Sequence, residues 1–136
     1  MTLSLDANVL IDLVNAHNTA VRAQYDAALV AGDPTVISAL VVEEVIFGAL
    51  ISRRTEFQMA AARAILGNHP IADWTEDDAY AAARLRAQLH RAGTPIGSYD
   101  TLIAGQALNR GWTLVTANTR QFNRVDGLQI VDWTRD

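Results

Sequence analysis

Two kinds of residue are missing from this 136-residue chain: it contains no cysteine, and its eleven basic residues are all arginine, so lysine is absent as well. The first absence excludes disulfides, thiolate metal sites and cysteine nucleophiles, and leaves oxygen and histidine as the only metal ligands. The second excludes every mechanism that needs a catalytic or switching lysine. Genomic base composition explains the arginine bias and suits the alanine richness; selection for bidentate phosphate contacts is the competing explanation. Long apolar runs are lacking too. Half of the residues are apolar, yet stretches such as Ile37 to Val42 fall far short of the length that spans a bilayer, about 20 residues. A soluble protein with no membrane association is expected. Met1 to Asp6 has neither the basic start nor the long apolar centre of a secretory signal, so the expected location is cytoplasmic. A positive balance is also missing. At a net charge of -4 the chain cannot hold nucleic acid by general attraction, and any such role needs a local device.

What is present is an alternation of short apolar runs and amphipathic segments, in a length that suits one domain over residues 1–136. Leu3 to Leu5 reads as a strand that stops at Asp6, after which Val9, Leu10, Leu13 and Val14 recur at helical spacing. Thr19 is placed to cap a second helix running to about Ala31, which Gly32-Asp33-Pro34 ends. Thr35 to Ile37 reads as a buried strand. Ser38 follows it, at the start of an apolar helix from Ala39 to about Ser52 whose only charges are Glu43 and Glu44. A helix over Glu56 to Leu66 and an edge strand over Ile71 to Trp74 come next. Thr75-Glu76-Asp77-Asp78 then resembles a capping box for a helix to about Arg91, with Asp77 and Asp78 as helix-start and helix-surface acids. Gly93 and Pro95 break the chain before a helix from about Tyr99 to Asn109, with Gly111 at the stop. Thr113 to Thr116 is a strand, a polar turn carries Phe122, and Leu128 to Val131 is a last strand before an exposed tail.

Such alternation implies a three-layer α/β/α sandwich with a mainly parallel central sheet. Ligands gather outside the carboxyl ends of the strands in folds of this class. Asp6, Ser38 and Thr116 are predicted to lie there.

Three acids are positioned to converge on that edge: Asp6 ending the first strand, Glu44 in the apolar helix, and Asp100 opening the helix after the Gly-Pro break. Like charges about 5 Å apart repel by roughly 3 kcal/mol at an effective dielectric of about 20, so bare carboxylates resist sharing a cleft. A hard divalent cation such as Mg²⁺ or Mn²⁺ removes the conflict. Each acid has an ordinary reading as well. Asp6 caps a helix, Asp100 faces its own helix dipole, and periodicity alone does not choose between Glu43 and Glu44.

Four segments, in order, resemble the PIN-domain endoribonuclease toxins of the VapC type, found in bacterial toxin–antitoxin pairs. They are Leu5-Asp6-Ala7-Asn8-Val9-Leu10; Ser38-Ala39 through Glu44-Val45-Ile46-Phe47-Gly48; Pro95-Ile96-Gly97-Ser98-Tyr99-Asp100 with Leu102-Ile103-Ala104; and Leu114-Val115-Thr116-Ala117-Asn118-Thr119-Arg120-Gln121-Phe122. The register of the second segment selects Glu44. The resemblance implies that Asp6, Glu44 and Asp100 are catalytic residues holding Mg²⁺, with Mn²⁺ as substitute, and that metal-activated water hydrolyses an RNA phosphodiester. Many relatives carry an acid two residues after the Thr of the fourth segment. Asn118 stands there here, so one metal is expected and a second left open. Asn8, Ser38, Thr116 and Asn118 are supporting residues, Asn8 as a local hydrogen-bonding group and Thr116 with Asn118 either as site groups or as shapers of the turn. The resemblance also implies a homodimer and a cognate antitoxin that forms a hetero-oligomer with the toxin.

Arg84, Arg86, Arg120 and Arg124 are candidates to hold phosphates flanking the cut, against an ordinary reading as solvated charges with packed stems. His17, His69 and His90 show no metal-ligand spacing and read as surface or structural residues. Trp74, Trp112 and Trp133 read as packing residues before base-stacking ones. Competing functions are an inactive PIN-like binding module and, further off, a Mg²⁺-dependent phosphatase. A receiver domain or haloacid-dehalogenase-like phosphatase needs a lysine that this chain lacks, and the second also needs an acid where Asn8 stands.

Overall fold

In the computed structural model, which describes residues 1–135, β1 (Leu3–Leu5) lies at the middle of a five-stranded sheet. The other strands are β2 (Thr35–Ser38), β3 (Ile71–Ala72), β4 (Thr113–Val115) and β5 (Ile130–Val131). Their spatial order is β3-β2-β1-β4-β5, with every neighbouring pair parallel. Every residue of β1 and β4 is buried, as it must be where helices cover both faces of a sheet. The helices are α1 (Ala7–Asn15), α2 (Thr19–Ala31), α3 (Ala39–Leu50), α4 (Thr55–Leu66), α5 (Glu76–Arg91), α6 (Ser98–Arg110) and the single turn α7 (Thr119–Phe122). Together they make the expected three-layer α/β/α sandwich. Among the described residues no helix is long and apolar enough to cross a membrane.

The strand order carries the functional geometry. After β1 the chain builds outward through β2 and β3, then returns to the other side of β1 for β4 and β5. Two successive connections therefore leave in opposite directions, and the crevice opens between the carboxyl ends of β1 and β4. Leu5 pairs with Val115 there, so the next residues in register are Asp6 and Thr116.

Local chemistry sets the ends of the elements. Ser38 caps α3 by accepting from the Leu40 N–H at 3.2 Å. Thr75 and Asp78 make the reciprocal capping box expected at the start of α5. Gly111 ends α6 in the left-handed region, at φ 70°, where a side chain would be strained. Helix α2 is capped by Asn18 rather than by Thr19, because the Asn18 carboxamide reaches both Ala20 N (2.9 Å) and Val21 N (3.2 Å). The segment expected as a polar turn closes into α7, a helix of four residues, too short to display periodicity. The edge strands shrink to Ile71–Ala72 and Ile130–Val131, since an outer strand keeps only the pairing that its one neighbour offers. The tail after β5 is not wholly exposed. Trp133 is buried with its ring edge-on to Tyr25. Tyr25 in turn bonds His69 Nε2 at 2.7 Å, and Thr35 bonds His69 Nδ1 at 2.6 Å. His69 is thus a structural histidine joining α2, β2 and the turn before β3, and burial holds its pKa below the usual value.

Helices α5 and α6 form an antiparallel hairpin. Asp78 near the start of α5 meets Arg110 at the end of α6, and Ala82 meets Gly105 one turn further in. A Cβ on Gly105 would lie 2.5 Å from the Ala82 Cα, so only glycine permits this approach. The close packing fixes the axis of α6 and, at its N-terminal end, the placement of Asp100.

Candidate active site

Asp6 leaves the end of β1 as the N-cap of α1, and its second oxygen faces the end of β4. Its Oδ1 accepts from Ala7 N at 2.9 Å, while Oδ2 accepts from Thr116 Oγ1 at 2.7 Å and from Asn8 Nδ2 at 3.2 Å. Asp6 as a whole is 6% exposed, so little water reaches it. Burial raises its pKa, the hydrogen bonds from Thr116 and Ala7 oppose that rise, and the charge of Asp100 adds to it.

Thr116 stands opposite, just past β4. Its hydroxyl donates to Asp6 and accepts from Asn118 N (3.0 Å) and Asn8 Nδ2 (3.3 Å). Asn8 completes the link by accepting from Ala117 N at 3.3 Å. Asn8 is therefore the local hydrogen-bonding residue that the sequence suggests, stitching the β1 and β4 termini together. Asn118 does more than shape its turn: its Nδ2 donates to Asp100 Oδ2 at 3.2 Å.

Asp100 lies in the first turn of α6, half-buried, with its pKa raised by burial and lowered in part by the Asn118 hydrogen bond. Glu44 lies in the second turn of α3. It is half-buried where Glu43 is exposed, and its pKa is raised by burial and then by the charges of Asp6, Asp100 and Glu43. Thus the helix turns the residue chosen by motif register toward the other two acids. Among the described residues no three acidic or histidine side chains stand close enough together to form a ready-made metal site, but the charges of Asp6 and Asp100 act on Glu44.

The residues fit a divalent cation on the chemistry of this donor set. Burial raises all three carboxyl pKa values, neighbouring acids add to the rise at Glu44 and Asp6, and no arginine or lysine is paired with any of them among the described residues, so their ionised forms lack compensation. A hard cation held by a few carboxylates and by water relieves that conflict.

The remaining predicted residues divide. Ser38 is buried and caps α3. Arg120 is exposed on α7, two residues beyond Asn118. Arg124 is exposed but tethered, its Nη1 donating to Pro95 O at 2.7 Å in the loop before α6. Arg86 is exposed on α5 and lines a groove with Ser98, Thr101 and Leu102, near the start of α6. Arg84 is not brought to the cleft. It lines a surface groove with Leu108 and Asn109, about 12 Å along the α6 axis from Asp100.

Two residues have roles that their types did not disclose. Tyr99 donates its hydroxyl to the Leu40 carbonyl of α3, and burial followed by the charges of Glu44, Glu43, Asp6 and Asp100 drives the phenol pKa up. Its only sequence signal was adjacency to Asp100. Asp78 is fully buried rather than a helix-surface acid. Nothing within α5 marks it, because its ion-pair partner, Arg110, is 32 residues away.

Comparison with known proteins gives the family of the fold. Residues 3–128 match the PIN domain family. A tRNA(fMet)-specific endonuclease VapC of Shigella flexneri is 33% identical over 130 residues, covering 96% of each chain. A tRNA(fMet)-specific endonuclease VapC of Salmonella typhimurium is 38% identical over 97 residues, or 71% of this chain and 74% of the relative. The crystal structure of DNA-bound VapBC from Salmonella typhimurium superposes with a TM-score of 0.88 at 32% identity, covering 98% of both chains.

Proposed function

Because the chain belongs to the PIN-domain family, we propose that it is a single-domain ribonuclease, residues 1–136, acting as the toxin of a toxin–antitoxin pair in the cytoplasm. Its substrate is RNA. The observation that carries this reading is the meeting of Asp6, Glu44 and Asp100 at the carboxyl edge of the sheet, each with a raised pKa and none paired with a cation-bearing side chain. These three residues are the proposed ligands of one Mg²⁺, with Mn²⁺ as substitute. When bound, such a cation makes water a competent nucleophile at neutral pH and offsets charge developing on phosphate.

The protein's own contributions are orientation and selection. Thr116, Asn8 and Ala7 N–H fix the rotamer of Asp6, and Asn118 fixes that of Asp100. Asn118 adds no negative charge where an acid would strengthen a second cation site, which supports the one-metal reading. Arg120 on α7 and Arg124 just after it, both exposed, are the proposed holders of phosphates beside the scissile bond. The likeness to a VapBC structure supports a cognate antitoxin as partner, and a homodimeric toxin is proposed with it.

The test is cleavage of RNA by the purified chain with Mg²⁺ or Mn²⁺. Chelation should abolish cleavage, and Asp100→Ala should reduce it by about 100-fold or more. A folded protein that binds RNA but cuts it at no cation concentration would instead be a binding module.

A further inference from the structure

The hydrogen bond from Tyr99 to Leu40 joins the two helices that carry two of the three acids, next to Asp100 on α6 and one turn before Glu44 on α3. Tyr99 is the immediate neighbour of Asp100 at the start of α6. Leu40 lies in the first turn of α3, and its carbonyl is the i−4 partner of the Glu44 N–H in the helical ladder. The phenol hydroxyl is therefore attached to the turn that carries Glu44. No other side-chain hydrogen bond among the described residues connects α3 with α6. Elsewhere α6 packs chiefly on α5, with Gly105 at the closest approach, and α3 packs chiefly on α4 and α1.

We propose that Tyr99 is a positioning residue that sets the separation of Glu44 from Asp100, and so the affinity of the cleft for its divalent cation. The proposal rests on reading the cleft as a cation site. Tyr99 touches neither RNA nor the reacting atoms in this role. Its hydroxyl acts through the Leu40 carbonyl, and loss of the oxygen alone should loosen the gap between the two acids while leaving the ring packed.

The test uses the full chain and Mn²⁺ as the probe. Isothermal titration without RNA compares wild type, Tyr99→Phe and Asp100→Ala, and thermal unfolding of the cation-free proteins is measured alongside. Tyr99→Phe should weaken Mn²⁺ binding by about 10-fold or more, as losing a group that orients metal ligands commonly does. Cleavage at limiting Mn²⁺ should lose kcat with KM for RNA unchanged, and should recover when Mn²⁺ is raised about tenfold above the level that saturates wild type. Undiminished Mn²⁺ binding by Tyr99→Phe, with Asp100→Ala impaired, overturns the proposal alone. A lowered unfolding temperature with no recovery at high Mn²⁺ also overturns it, since that marks a merely structural tyrosine. Wild-type protein that fails to bind Mn²⁺ overturns the cation reading of the cleft, and the proposal falls with it.

Discussion

The Thr116 hydroxyl gives one hydrogen bond and receives two, which is its full capacity. Replacing it by Val would strip a buried donor from Asp6 and leave Asn118 N without that acceptor. A stability loss of about 1–2 kcal/mol should follow in urea unfolding. Cleavage should fall by about 10–100-fold, because Asp6 would no longer be held in one rotamer. Thr116→Ser keeps the hydroxyl and should keep most of the rate; a Val variant with wild-type turnover would mean that Ala7 N and Asn8 suffice. Much of this chemistry was legible from residue types. Asp6 and Thr116 were placed by the simple rule that polar residues ending parallel strands meet. Glu44 was different, because periodicity treated it and Glu43 alike and only motif register separated them. Asn118 also resisted reading: a carboxamide suits a turn and a site equally, and the structure uses it for both.

At the scale of elements, the hairpin of α5 on α6 controls where Asp100 sits. Gly105→Ala would place a methyl carbon 2.5 Å from Ala82 Cα and 2.8 Å from Ala82 N, atoms that cannot turn aside. Overpacking against backbone atoms this close falls in the upper part of the usual range, about 2–3 kcal/mol, while alanine returns somewhat under 1 kcal/mol in helix propensity. A net loss of about 1–2 kcal/mol should lower the thermal midpoint by about 3–7 °C for a chain of this length. Activity should fall with it, since relief of the clash pushes the two helices apart. An unchanged midpoint would show that the helices have room to separate. The alternation of strands and helices was readable because each helix has an apolar stripe and each strand a short apolar run. The spatial order β3-β2-β1-β4-β5 was not, since it depends on pairings between runs that look alike. The closeness of α5 and α6 was equally hidden. A glycine in mid-helix says only that something approaches, and here the partner is Ala82.

For the whole molecule, the response to pH separates cleft from scaffold because the shifted groups have opposite signs. Asp78 accepts from Thr75 N (2.8 Å), Asn109 Nδ2 (2.9 Å) and Arg110 Nη2 (2.9 Å), and Gln106 adds a further bond. Burial would raise its pKa, but the bonds from Arg110, Thr75 and Asn109 outweigh burial and hold the carboxyl well below the usual range. The folded pKa is thus below the unfolded one. Its stabilisation is complete above the unfolded value of about 4 and is lost as pH falls from there toward the folded pKa. The cleft acids Asp6, Glu44 and Asp100 have raised folded pKa values, so the fold binds their protons first. In the cation-free protein their effect is to add stability as pH falls from neutral, and it ends near the same unfolded values of about 4. His69 acts the other way, losing stability below its unfolded pKa of about 6.5, since burial lowers its folded value. Among these groups, the acid limb below about pH 4 therefore belongs to Asp78. Asp78→Asn should cost about 2–3 kcal/mol at neutral pH, less than a fully enclosed pair because the Arg110 side chain is 30% exposed and can turn to water. It should also flatten that limb in urea unfolding measured from neutral pH down to about 3, whereas Asp6→Asn should leave the limb intact. An acid limb that survives Asp78→Asn would place the proton-sensitive link elsewhere in the scaffold.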